Sequence, residues 1–250
     1  MRRRGVAVLI AGAMTLTACT STKQVMDVAF TPPQGQYDLI VMRPDVSVGL
    51  LTASGIVEPR EDWTAQARTN LLAAIRAEEA GRGGETTVAA SYADTGADPQ
   101  LAIDLQELHD AVRQAIITHK YAGVPLPTKR NVFDWTLGEQ AVEFGRKTGH
   151  DYALFLYAED SFSSSGRTAL KILGYAGCII GACVGVGGKT RLAFASLVDL
   201  KTGRIVWNNL LTSSVGDMRT PEGAASTVQT LLGSMKPGKD IRRQRREGRS

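Results

Sequence analysis

The chain is expected to fold as a single α/β domain, with a mixed sheet that ends in an antiparallel hairpin and carries helices on its faces. Three observations predict this. Strand-type and helix-type runs alternate through residues 37–235, the pattern of a sheet layered with helices. Tyr152–Tyr157 is apolar at every alternate position on both sides and follows a helical segment directly, which marks a buried central strand with parallel neighbours. Arg191–Val198 and Arg204–Asn208 are strand-like runs joined by a short loop containing Gly203, the signature of a hairpin.

The elements follow in order. Tyr37–Met42 is a β-type apolar run, and Val46, Val48 and Leu50 alternate with smaller or polar neighbours, so two strands open the domain. Glu58-Pro59 places proline at a first helical position with Glu61 and Asp62 in the first turn. Trp63, Ala67, Leu71, Ala74 and Ile75 then share one face, and Arg82-Gly-Gly84 ends the helix. Thr86–Ser91 reads as a short strand. Asp98-Pro99 caps a second helix whose inner face is Leu101, Leu105, Leu108, Val112 and Ile116. Thr136 and Glu139 have capping-box spacing for a third helix, with Leu137, Ala141 and Phe144 inward and Gly149 as its stop. Thr220-Pro221 starts the last helix, with Ala224, Val228, Leu231 and Leu232 inward.

The N-terminus has the order of an export leader. Met1-Arg-Arg-Arg4 is cationic, Gly5–Leu16 is apolar, and Leu16-Thr17-Ala18-Cys19 follows at once. The apolar stretch is well short of the roughly 20 residues of a membrane span. The Leu-x-Ala-Cys ending resembles the lipobox of bacterial lipoproteins. That resemblance implies cleavage before Cys19, diacylglycerol on its thiol and acylation of the new amino terminus. Residues 1–18 are then a signal peptide, and 19–36, polar with Pro32, Pro33 and Gly35, read as a flexible tether. By resemblance to the sorting rules of enteric bacteria, Thr20, a residue other than Asp after the cysteine, points to the outer membrane with the domain facing the periplasm.

The formal net charge is +4, but it is unevenly placed. The leader holds three arginines, and 236–250 has seven Lys or Arg against Asp240 and Glu247, so the body between them is mildly acidic. The basic tail lacks aromatic and apolar content and reads as disordered. Outside the cytoplasm nucleic acid is the wrong partner; the tail suits an anionic envelope surface or an acidic protein surface, and equally a plain solubilising role. Of three cysteines, Cys19 is assigned to lipid, which leaves Cys178 and Cys183 as a candidate disulfide.

The segment Thr148-Gly-His-Asp-Tyr-Ala-Leu-Phe-Leu156 and the hairpin Ser196-Leu-Val-Asp-Leu-Lys-Thr-Gly-Arg-Ile-Val-Trp207 resemble a broad group of envelope proteins. The group includes curli-secretion-channel-like lipoproteins, the N-terminal domain of the Tol translocation β-propeller protein, and lipoprotein activators of penicillin-binding proteins. A D-x-x-T-G-x-x-x-W segment also marks propeller blades, but a propeller repeats it and here it occurs once. The resemblance implies a small α/β domain that binds other envelope proteins and has no active site.

Ile172–Gly188 carries no charge, and Gly177, Gly181 and Gly185 repeat at the four-residue spacing that lets helices approach closely in lipid. It admits three readings: a helix packed on a neighbouring subunit, a hairpin that enters the membrane, or a buried loop closed by Cys178 and Cys183. Residues five apart lie about 140° around a helix axis, so a bond between the two cysteines excludes a regular helix there. Gly188-Lys189-Thr190 lacks the first glycine of a phosphate loop, since Cys183 stands there.

No catalytic constellation emerges. His109, His119 and His150 have no metal-ligand spacing and read as surface or helix-edge histidines. Ser163-Ser-Ser165-Gly reads as a flexible loop, and Glu159 with Asp160 as a loop edge. No metal, cofactor or catalytic residue is expected. The sequence is read as a lipid-anchored, non-enzymatic scaffold or regulator of an envelope assembly, contacting other envelope proteins or itself. The alternative reading is a subunit of an oligomeric outer-membrane pore or secretion complex built through 172–188.

Overall fold

The computed structural model describes residues 20–26, 37–80, 85–129, 132–169, 191–213, 216–233 and 235. The expected architecture is present: an eight-stranded mixed sheet with helices on both faces. Its strands are β1 (Thr20–Met26), β2 (Asp38–Val41), β3 (Asp45–Leu51), β4 (Val57–Pro59), β5 (Glu85–Val88), β6 (Tyr152–Ser163), β7 (Arg191–Asp199) and β8 (Arg204–Ser213). The principal helices are α1 (Glu61–Glu79), α2 (Pro99–Ile116), α3 (Gly138–Thr148) and α4 (Pro221–Leu232).

Strand β6 is the spine. Parallel β2 pairs with its first residues, parallel β3 runs along the remainder from Asp45↔Tyr157 to Leu51↔Ser163, and β7 pairs antiparallel on the other side. Pro44 stands in the gap between β2 and β3, where a residue with no N–H interrupts the ladder. Being central explains the two apolar faces of β6. Leu154 and Leu156 join one core with Ala67, Leu71 and Ile75 of α1 and Ala224, Val228 and Leu231 of α4. Ala153 and Phe155 join the other with Leu105 and Ile116 of α2 and Ala141 and Phe144 of α3.

The hairpin β7–β8 forms as expected and turns at Gly203, whose φ is +69°. A Cβ at that position would strike the Gly138 carbonyl oxygen, so the turn packs directly on the start of α3. Asp98 and Thr220 cap α2 and α4 by accepting from the Gln100 and Gly223 amides, and Gly149 ends α3 in the left-handed region.

Four local expectations are corrected. Thr20–Met26 is not tether: it is an edge strand paired antiparallel with β8 from Thr20↔Ser213 to Met26↔Trp207. Its polar sequence hides it, because the backbone ladder stabilises an edge strand whose Ser21, Thr22 and Lys23 side chains stay exposed. Pro59 ends β4 rather than starting α1, since Arg60 occupies the N-cap and donates its amide to the Val48 carbonyl. The Thr136–Glu139 capping box does not form: Thr136 Oγ1 accepts from Gly138 N and donates to Gly203 O, so the hairpin turn takes the hydroxyl. Ser163 is the last residue of β6, and Ser164 caps a helical turn at 165–169 by accepting from Arg167 N.

Candidate functional site

Helix α2 carries polar side chains on its inner face: Gln106, His109 and Arg113 are buried beside Leu105 and Ile116. His109, expected at a surface or helix edge, is completely buried. Its ring stacks on Phe155 of β6 at 4.2 Å and 13°, and Nε2 lies 2.7 Å from Ser196 Oγ of β7. On its other side Nδ1 is 3.5 Å from Asp110 Oδ1, an electrostatic contact beyond good hydrogen-bond length. Burial holds the His109 imidazole below its ordinary pKa, and Arg113 adds to that against the pull of Asp110. The ring is therefore neutral near pH 7. A proton on Nδ1, facing Asp110, leaves Nε2 to accept from the Ser196 hydroxyl.

Asp110, His109 and Ser196 thus stand in the order of a Ser–His–Asp relay. The surroundings do not match that chemistry. Ser196 is fully buried in mid-sheet, flanked by Phe155 and Asn208 on the neighbouring strands. A nucleophile needs space for an acyl carbon and free amides aimed at its oxygen, whereas both flanks of Ser196 are occupied by the sheet. What this arrangement does is tie α2 to β7.

A second tie lies next to it. The chain continues from α2 into a π-turn, Ile117–Tyr121. The Tyr121 hydroxyl donates to the Lys23 carbonyl of β1 at 2.9 Å and makes a short contact with Asn208 Oδ1 of β8. Burial pushes the Tyr121 phenol well above its usual range, so it stays a neutral donor. Between this turn and the sheet edge lies a groove of about 290 Å³ lined by Ile117, Tyr121, Ala122, Ser21, Lys23, Leu210 and Thr212.

On the opposite face Asp160 and Arg191, register partners on β6 and β7, form a buried ion pair. Arg191 Nη2 and Nε lie 3.3 and 3.4 Å from Asp160 Oδ2, and Nη1 donates to Thr227 Oγ1 of α4 at 2.8 Å. Asp160 is therefore a core residue and not a loop edge. Arg219 is clamped between Trp63 and Phe162, 4.4 and 3.7 Å from their ring centres, and bonded to Asp217. These groups hold α1, α4 and the sheet together.

Other residues singled out in the sequence, Cys19, Gly177, Cys178, Gly181, Cys183 and Gly185, lie outside the described residues, as do the leader 1–18, the tether segment 27–36, the Arg82-Gly-Gly84 stop and the basic tail from 236. The described structure fixes their flanks: β1 begins at Thr20, one residue after Cys19, and β7 begins at Arg191. Among the described residues no three His, Cys, Asp or Glu groups converge as a metal site, and no helix is long and apolar enough to cross a membrane.

No family model and no curated protein matches this chain. Among solved structures the chain is similar to the PelC dodecamer from Paraburkholderia phytofirmans, at a TM-score of 0.38 and 13% identity. That match covers 88% of this chain and 100% of the other. It is also similar to the LpoB C-terminal domain from Salmonella enterica, at a TM-score of 0.28 and 12% identity over 74% of this chain and 86% of that one. Likeness at this level assigns no role to any residue.

Proposed function

We propose that the chain is a lipid-anchored envelope protein that acts without catalysis, as a scaffold or regulator of an envelope assembly on the periplasmic side of the outer membrane. The observation that carries this reading is the junction at residue 19. A leader-like segment ends in Leu16-Thr17-Ala18-Cys19, and the described sheet starts at Thr20. Cleavage before Cys19 removes nothing from the described sheet and leaves the lipid-bearing residue next to Thr20 in the chain. The buried polar groups, His109 of α2 and Ser196, Asp160 and Arg191 of the sheet, are engaged with one another or with core aromatics, and they support a rigid contact surface better than a reaction.

The test is the native mass of the chain extracted from membranes in mild detergent. A discrete complex with other envelope proteins is the expected result. A ring of this chain alone would replace this reading with the pore-subunit one, and a free monomer would remove the assembly role.

A further inference from the structure

Resting on the lipid-anchor reading above, we infer that the corner formed by β1, the π-turn Ile117–Tyr121 and Val124 is a membrane seat, pressed against the bilayer that holds the Cys19 lipid. A chain spans at most about 3.6 Å per residue, so Ser21 lies within roughly 7 Å of Cys19 and Lys23 within roughly 14 Å. The polar headgroup layer on each side of a bilayer is about 5–8 Å deep. Because Thr20–Met26 is built into the sheet, there is no slack that would lift the domain away.

The surface at that corner has interfacial chemistry. The groove there is walled by Ile117, Leu210 and the Tyr121 ring. Lys23 lines it and is exposed, Lys120 of the π-turn is exposed, and Val124 is 47% exposed. Two hydrogen bonds hold Val124 to the turn: its amide donates to Thr118 O at 3.2 Å, and its carbonyl accepts from His119 Nδ1 at 2.9 Å. Half-buried tyrosine, exposed valine and flanking lysines are the side chains that settle where hydrocarbon meets charged headgroups. Among the described residues the other exposed large apolar side chains are Val132, at 60% exposure, and Ile56 with Val57; Ile56, at 65%, follows β3 on the far side of β6, separated from β1 by β8, β7 and β6. The seat takes a lipid surface and not a peptide, because the anchor itself delivers that surface to it.

The experiment places an added tryptophan at each patch, Val124→Trp or Ile56→Trp, in the full-length lipidated protein. Each is reconstituted into phosphatidylcholine–phosphatidylglycerol vesicles with brominated acyl chains, and the added emission is read as a difference from wild type. Flotation with the vesicles and the mass of acylated Cys19 are checked in the same samples. The seat predicts that the tryptophan at 124 loses most of its emission and shifts to the blue, while that at 56 is unchanged. Quenching at 56 instead, or at neither position in a floating acylated protein, overturns the seat and leaves the anchor standing. A chain that neither floats nor carries lipid overturns the anchor reading and the seat with it.

Discussion

Acidification singles out His109. The folded protein keeps this ring neutral because burial opposes its charge, while an unfolded chain protonates it near pH 6.5. The unfolded state therefore binds the extra proton. This contribution to stability is complete above about pH 6.5 and is lost as pH falls below it, at a rate approaching 1.4 kcal/mol per pH unit until the lowered folded-state value is reached. His150, half-buried and also held low by burial, acts in the same direction. The perturbation that isolates His109 is its replacement by phenylalanine, which keeps a flat ring over Phe155 and removes the proton. Alone, His109→Phe strands the Ser196 hydroxyl and costs about 1–3 kcal/mol at pH 7.5; with Ser196→Ala added, most of that cost is recovered. Urea titrations of the Cys19→Ser chain at pH 7.5 and 5.5, followed by tryptophan fluorescence, measure both effects. Wild type loses stability between the two pH values, and His109→Phe/Ser196→Ala loses markedly less. An identical loss in both proteins would refute the assignment of the acid sensitivity to this ring.

Three further outcomes follow from the packing. Arg191→Met leaves the Asp160 carboxylate buried without its cation and costs about 3–5 kcal/mol in urea denaturation, whereas Asp160→Leu/Arg191→Met is far milder. A Cβ at Gly145 would lie 2.6 Å from the Leu200 Cβ, so Gly145→Ala costs about 1–3 kcal/mol as α3 is pushed off the hairpin, read as a lowered Tm. Tyr121→Phe removes the donor shared by Lys23 O and Asn208. It lowers stability by about 1–2 kcal/mol and speeds hydrogen exchange of β1 amides relative to those of β6.

What the sequence disclosed was governed by local chemistry. The caps at Asp98 and Thr220, the stop at Gly149 and the turn at Gly203 each depend on residues within a few positions, and each formed. The misses came from distance. His109 lies on the same helical stripe as Leu105 and Ile116, so its spacing already pointed inward, but its partner Ser196 is 87 residues away and no local pattern announces it. Asp160 continues the alternation of Leu154, Leu156 and Ala158, a sign of burial that the neighbouring serines obscured. Thr136 had capping spacing, yet its hydroxyl was claimed by Gly203 from another element. Strand β1 gave no apolar period because its order comes from pairing with β8, at the other end of the chain.

The lipid anchor is tested most directly on the N-terminal peptide of the mature protein. Intact and peptide mass spectrometry of the chain recovered from membranes is predicted to show a first residue of Cys19 carrying a diacylglyceryl thioether and an acylated amine. A mature protein that begins elsewhere, or begins at Cys19 with a free thiol and amine, would contradict the anchor and everything built on its position beside β1.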